Sequence, residues 1–138
     1  MIKAKRIGLD TNIFIYYFQK HPEFGVATKN IFDNFALHKT KAVTSILTLT
    51  ELLSIHASEK EVSNLQALFL ETPGLTIYDI NQNIGVTAGR IRRNYGFRLP
   101  DAIQLATCLY AKVGIFVTND QKLQAFKEID IILLNQLT

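Results

Sequence analysis

Four carboxylates in the chain, Asp10, Glu51, Asp101 and Asp120, occur in settings that could bring them to one place. Asp10 and Asp120 close two similar stretches, Ile7-Gly-Leu-Asp-Thr-Asn12 and Ile115-Phe-Val-Thr-Asn-Asp120, each an apolar run that delivers an acid just past its end. Asp101 follows Pro100 at a helix start, and Glu51 interrupts a stripe formed by Leu47 and Ile55, four residues to either side. Converging carboxylates repel one another and burial raises their pKa, so such a cluster is stable only around a cation. Hard oxygen ligands without Cys or His partners suit Mg2+ or Mn2+. An ion held this way can present a water as nucleophile and stabilise charge on a phosphoryl oxygen, which is the chemistry of phosphodiester hydrolysis. Asn12 and Thr118 can add neutral oxygens or hydrogen bonds beside it.

Each of these residues also has a structural role open to it. Asp10 and Asp120 can cap the helices they precede, and Asp101 sits where a helix dipole favours negative charge. Glu51 can lie on an ordinary helix surface beside two stray apolar residues, and Asn12 and Thr118 can serve as turn residues at strand ends. The joint pattern, not any single acid, points to a site.

The elements that would position these groups follow from periodicity. Arg6–Asp10, Lys41–Ser45, Leu75–Tyr78, Ile115–Thr118 and Ile131–Leu134 are short apolar runs that predict strands. Helical spacing covers Thr11–Phe18, Glu23–His38, Ile46–Ala57, a stretch opened by the capping box Ser58-Glu-Lys-Glu61 and stopped at Pro73-Gly74, Asn81–Tyr95 closed by Gly96, Pro100–Lys112, and Asp120–Lys127. Apolar strands separated by helices predict an α/β fold with a parallel sheet covered on both faces. Such sheets bind ligands at the carboxyl ends of strands where the strand order reverses. If the first and fourth strands are neighbours, Asp10 and Asp120 face each other there; periodicity alone does not fix that adjacency.

Composition narrows the classes. A chain of 138 residues with 48% apolar content predicts a single domain, 1–138. No run approaches the roughly 20 apolar residues of a membrane span, and the opening residues do not form a signal peptide. The single cysteine, Cys108, excludes an internal disulfide and fits a reducing cytoplasm; its spacing from Ala102 and Leu105 makes it a core residue. The net charge is +3, but with the four acids set aside eight acidic residues remain against fifteen basic, a surround that would attract a polyanion. Arg90, Arg92, Arg93 and Arg98, with Tyr95 among them, can contact RNA phosphates and a base, or can simply offset a helix dipole. Lys3, Lys5, Lys39 and Lys41 are expected on the solvated surface. His21, His38 and His56 have no ligand spacing, and no hydrolase-triad, dinucleotide or phosphate-loop motif occurs.

The ordered set Leu9-Asp-Thr-Asn12, Thr50-Glu-Leu52, Arg98-Leu-Pro-Asp-Ala-Ile-Gln-Leu-Ala-Thr107 and Val117-Thr-Asn-Asp120 resembles the PIN-domain nucleases, especially the VapC-type toxins of toxin-antitoxin pairs. The resemblance covers almost the whole chain. It implies a three-layer fold with strand order 3-2-1-4-5 and an endoribonuclease dependent on Mg2+ or Mn2+. The family's acids fall on Asp10, Glu51, Asp101 and Asp120, its hydroxyl residue on Thr118 and the polar companion of its first motif on Asn12. A homodimer and a small antitoxin partner are further implications.

Three other functions compete. A housekeeping RNA-processing nuclease would use the same site, and a binding module would keep the fold without cleavage. A receiver-like relay domain needs an acceptor Asp after the third strand and a Lys after the fifth; Asp79 can imitate the first, but Asn135 and Gln136 follow the last strand.

Overall fold

The computed structural model describes residues 5–137, so Lys3 lies outside the described residues. Five short strands carry the fold: β1 (Arg6–Leu9), β2 (Lys41–Ser45), β3 (Leu75–Tyr78), β4 (Ile115–Thr118) and β5 (Asp130–Leu133). They pair in parallel in the order β3-β2-β1-β4-β5, with Gly8 opposite Phe116 and Leu9 opposite Val117. The α/β class and strand order agree with expectation. The order reverses between β1 and β4, so their carboxyl ends open the crevice where Asp10 and Asp120 emerge.

Six helices cover the sheet: α1 (Thr11–Phe18), α2 (Gly25–Ala36), α3 (Ile46–Leu52), α4 (Glu59–Leu70), α5 (Gln82–Tyr95) and α6 (Leu99–Tyr110). Alternation along the strands divides the core in two. Ile7, Leu9, Ala42 and Val117 pack with Phe14, Ile31, Phe35, Leu52 and Phe69 on one face. Val43 and Phe116 pack with Ile84, Ile91, Leu105 and Cys108, from α5 and α6, on the other. Gly8 sits between Ile7 and Leu9 and points toward α6; a Cβ there would lie 2.3 Å from Cys108 Sγ. Only glycine lets α6 approach β1 this closely, and that approach brings Asp101, two turns before Cys108, toward Asp10.

Two expected helices are shorter in the structure. α3 ends at Leu52, capped by Leu53, whereas periodicity extended it to Ala57. The Ser54 hydroxyl donates to the Thr50 carbonyl at 2.6 Å, a local bond of the kind that competes with helix continuation. Ile55 therefore lies off the helix and is exposed, so the stripe through Leu47, Glu51 and Ile55 does not exist. Asp120–Lys127 was expected as a helix, but Gln121–Ala125 forms a 3-10 turn. Leu123 and Phe126 are both buried three residues apart, a spacing that a three-residue turn satisfies before the chain enters β5. Smaller shifts affect α2, which stops at Ala36 because His38 adopts φ +58°, and β5, which ends one residue early. Among the described residues no helix is long and apolar enough to cross a membrane.

Candidate active site

Asp10 occupies the boundary between β1 and α1, and its placement is over-determined. Its backbone N–H donates to the Val117 carbonyl at 3.0 Å, continuing the β1–β4 ladder one residue past the strand. Its side chain caps α1, Oδ1 accepting from the Thr11 N–H at 2.8 Å, while Oδ2 accepts from the Thr118 hydroxyl at 2.7 Å. The capping role weighed against a functional one is thus real, and it leaves the carboxylate buried. Burial is the largest cause that lifts the Asp10 pKa to about 6; the Thr118 and Thr11 bonds oppose it, and the charges of Asp101 and Glu51 add to it.

The other acids join it from three elements. Asp101 enters in the first turn of α6 behind Pro100, and burial raises its pKa, opposed by Arg98 and reinforced by the charge of Asp120. Asp120 caps the 3-10 turn, Oδ1 accepting from the Lys122 N–H at 3.0 Å, and its own N–H donates to Thr118 Oγ1 at 3.1 Å. Glu51, half-buried on α3, accepts from the Thr11 hydroxyl through Oε1 at 2.7 Å. The four acids therefore form an electrostatic chain, Glu51 to Asp10 to Asp101 to Asp120, across the carboxyl edge.

Among the described residues no three His, Cys, Asp or Glu side chains stand close enough to hold one ion in common. The donor set nevertheless fits a hydrated Mg2+ or Mn2+, which needs only one or two direct carboxylates and keeps several waters. Asn12 Oδ1 supports that fit: it is buried and has no hydrogen-bond partner among the described residues, an unpaired acceptor two residues after Asp10.

Thr11, Thr44, Thr48 and Gln104 form a buried polar layer that the site assignments did not include. Gln104 Nε2 donates to Thr48 Oγ1 at 2.6 Å and to Thr11 Oγ1 at 3.4 Å, and the Thr44 and Thr48 hydroxyls lie 2.8 Å apart. One signal was available in sequence: Asp101, Gln104 and Cys108 share a helical face that is otherwise apolar.

The arginines separate. Arg90 is committed to Glu128 by two bonds of 3.0 and 2.8 Å, and Tyr95 donates to the same carboxylate. Arg92 donates to the Phe97 carbonyl at 2.7 Å, closing the end of α5 beside Gly96. Arg93 is exposed. Arg98 alone reaches the acids: its side chain is 78% exposed and its Nε lies 3.4 Å from Asp101 Oδ2. Asp79 follows β3, the edge strand two positions from β1, which is remote from the switch point a relay acceptor would need.

A doubly wound domain with a carboxylate rim at the β1–β4 switch point is the class this geometry defines. A family model described as the PIN domain matches residues 7–131, and the chain belongs to that family, a family of nucleases. No curated protein matches. Among solved structures, the chain is similar to VapBC2 from Rickettsia felis bound to a DNA fragment from its promoter, at 20% identity and TM-score 0.75, covering 93% of this chain and 98% of that one. It is also similar to a toxin-antitoxin complex from Klebsiella pneumoniae (23% identity, TM-score 0.68, 89% and 94% covered) and to VapBC-5 from Mycobacterium tuberculosis (17%, 0.62, 94% and 99%).

Proposed function

We propose that this protein is a metal-dependent endoribonuclease and the toxin of a toxin-antitoxin pair. The observation that carries the reading is the buried Asp10, held by Thr11 and Thr118 and coupled in charge to Asp101 and Glu51. Asp10, Asp101 and Asp120, with Glu51 and the unpaired Asn12 Oδ1, would hold Mg2+ or Mn2+. When bound, such an ion supplies an activated water and neutralises charge developing on the phosphoryl group.

The chain's own groups then have definite tasks. Thr118 and the Thr11 N–H fix the Asp10 carboxylate so that it cannot rotate away from the crevice. Thr11 does the same for one oxygen of Glu51. Arg98, exposed at the rim, binds a substrate phosphate and opposes the burial that raises the Asp101 pKa. A competing housekeeping role is disfavoured by the solved relatives named above, which include toxin-antitoxin complexes. An antitoxin has a ready surface: Tyr17, Phe18, Val26 and Leu68 border an apolar groove of about 530 Å3, with Val26 75% and Leu68 52% exposed. A homodimer and a cytoplasmic location complete the reading.

Incubating purified protein with RNA and Mg2+ or Mn2+, beside an Asp10→Ala control, tests it. Cleavage by the wild type alone is expected; equal cleavage by both proteins contradicts it. Co-expression of any small reading frame abutting the gene, followed by purification of a complex, tests the partner.

A further inference from the structure

We infer that Gln104, acting through Thr48 and Thr11, is a positioning residue for Glu51; the inference rests on the metal-site reading above. An amide nitrogen only donates. Gln104 Nε2 therefore gives its protons to Thr48 Oγ1 at 2.6 Å and Thr11 Oγ1 at 3.4 Å, and neither threonine can return one to it. Thr44 sits at the far end of the layer, 3.2 Å from the Leu9 carbonyl, to which it donates, so its oxygen accepts the Thr48 proton at 2.8 Å. Thr11 has a single proton and two possible acceptors, Glu51 Oε1 at 2.7 Å and Thr48 Oγ1 at 3.1 Å. The Thr11 proton goes to the carboxylate, where the bond is shorter and charge-assisted, and the Gln104 amide weakens Thr48 as a rival acceptor by taking one of its two lone pairs.

The direction of this chain has a consequence for Glu51. Oε1 is occupied by Thr11, and Oε2 has no hydrogen-bond donor among the described residues, so Glu51 offers one oxygen and one orientation. Thr11, Thr44, Thr48 and Gln104 are all buried, with 7%, 1%, 0% and 2% exposure, so solvent does not replace a missing donor. Remove the amide and Thr48 competes with Glu51 for the Thr11 proton. The layer joins α1, β2, α3 and α6, which means that the helix delivering Asp101 also orients Glu51 on α3.

Mn2+ binding, read from the resonance of the free ion, tests this without reference to activity. Gln104→Met, which keeps the chain length and removes the donor, is expected to weaken binding about tenfold, as is Thr11→Val, while Thr11→Ser stays near wild type because it keeps the hydroxyl. Thr48→Val provides a second probe of the chain, and thermal melting checks that each variant is folded. In a Glu51→Gln background Gln104→Met should cause no further loss. The inference is overturned if Gln104→Met loses the same factor with and without Glu51, or if Thr11→Ser binds as poorly as Thr11→Val. Binding that depends on Asp10 but not on Gln104 overturns this inference alone; binding indifferent to Asp10→Ala overturns the metal site and this inference with it.

Discussion

The Thr118 hydroxyl donates to Asp10 Oδ2 at 2.7 Å while its oxygen accepts the Asp120 N–H at 3.1 Å, so one buried side chain ties together the acids at the ends of β1 and β4. Thr118→Val keeps the shape and strands both partners. A buried polar group left unsatisfied costs about 1–3 kcal/mol and the half-buried Asp120 N–H adds to the cost at Asp10, so urea unfolding should show a loss of at least that size, with Thr118→Ser close to wild type. The Asp10 pKa, already about 6, should rise further in the valine variant because its largest opposing bond is gone. Carbonyl-region infrared titration reads that shift.

Asp10 also sets a pH dependence. Its folded pKa of about 6 lies above the ordinary carboxylate value of 3.8, so the folded state binds the proton more tightly than the unfolded chain. The stabilisation is full below about 3.8, fades as pH rises through 6, and is absent above. In chelator, folding stability from this group should therefore increase by about 1 kcal/mol from pH 7.5 to pH 5. Mn2+ should reverse the trend by favouring the ionised form. Asp10→Asn is expected to flatten the profile and raise the melting temperature of the metal-free protein while abolishing cleavage.

Gly8 is a packing requirement. A Cβ at this position meets Cys108 Sγ at 2.3 Å and Phe116 at 3.0 Å, within a core where α6 rests on β1. Gly8→Ala should destabilise by about 1–3 kcal/mol in urea unfolding, and Cys108→Ala should recover part of that loss in the double variant. Burial raises the Cys108 thiol to about 12, so it should react with thiol reagents only on unfolding.

The arginines should divide by experiment as they do in space. Arg98→Ala is expected to leave stability unchanged, weaken RNA binding and lower the slope of log K against log salt by about 1. Arg90→Ala should leave that slope intact and cost about 1 kcal/mol or less, since its pair with Glu128 is partly exposed.

Local chemistry was legible in the sequence wherever a few neighbouring residues decide it. β2, β3 and β4 fall on their apolar runs, Ser58 accepts the Glu61 N–H at 3.2 Å as the capping box requires, and Gly96 takes φ +74° to end α5. Strand order was not, because it depends on how crossover helices pack and not on any local pattern; the family resemblance supplied it. Glu51 was singled out through a stripe that the early end of α3 removes, yet it meets Thr11 beside Asp10 through tertiary contact. The threonine layer behind it escaped notice because its hydroxyls come from β1–α1, β2 and α3, and adjacency across three segments leaves no periodicity. Asp120 was placed correctly at a cap, but of a 3-10 turn, since Leu123 and Phe126 satisfy both helical periods.

The most direct test is RNA cleavage with Mn2+ in 18O-labelled water, with product ends determined by mass spectrometry. Hydrolysis by a carboxylate-held ion predicts phosphate monoester ends carrying one oxygen from water, with no cleavage in chelator and none by Asp10→Asn. Cleavage that persists in chelator or in Asp10→Asn, or 2′,3′-cyclic phosphate ends without the label, would contradict it.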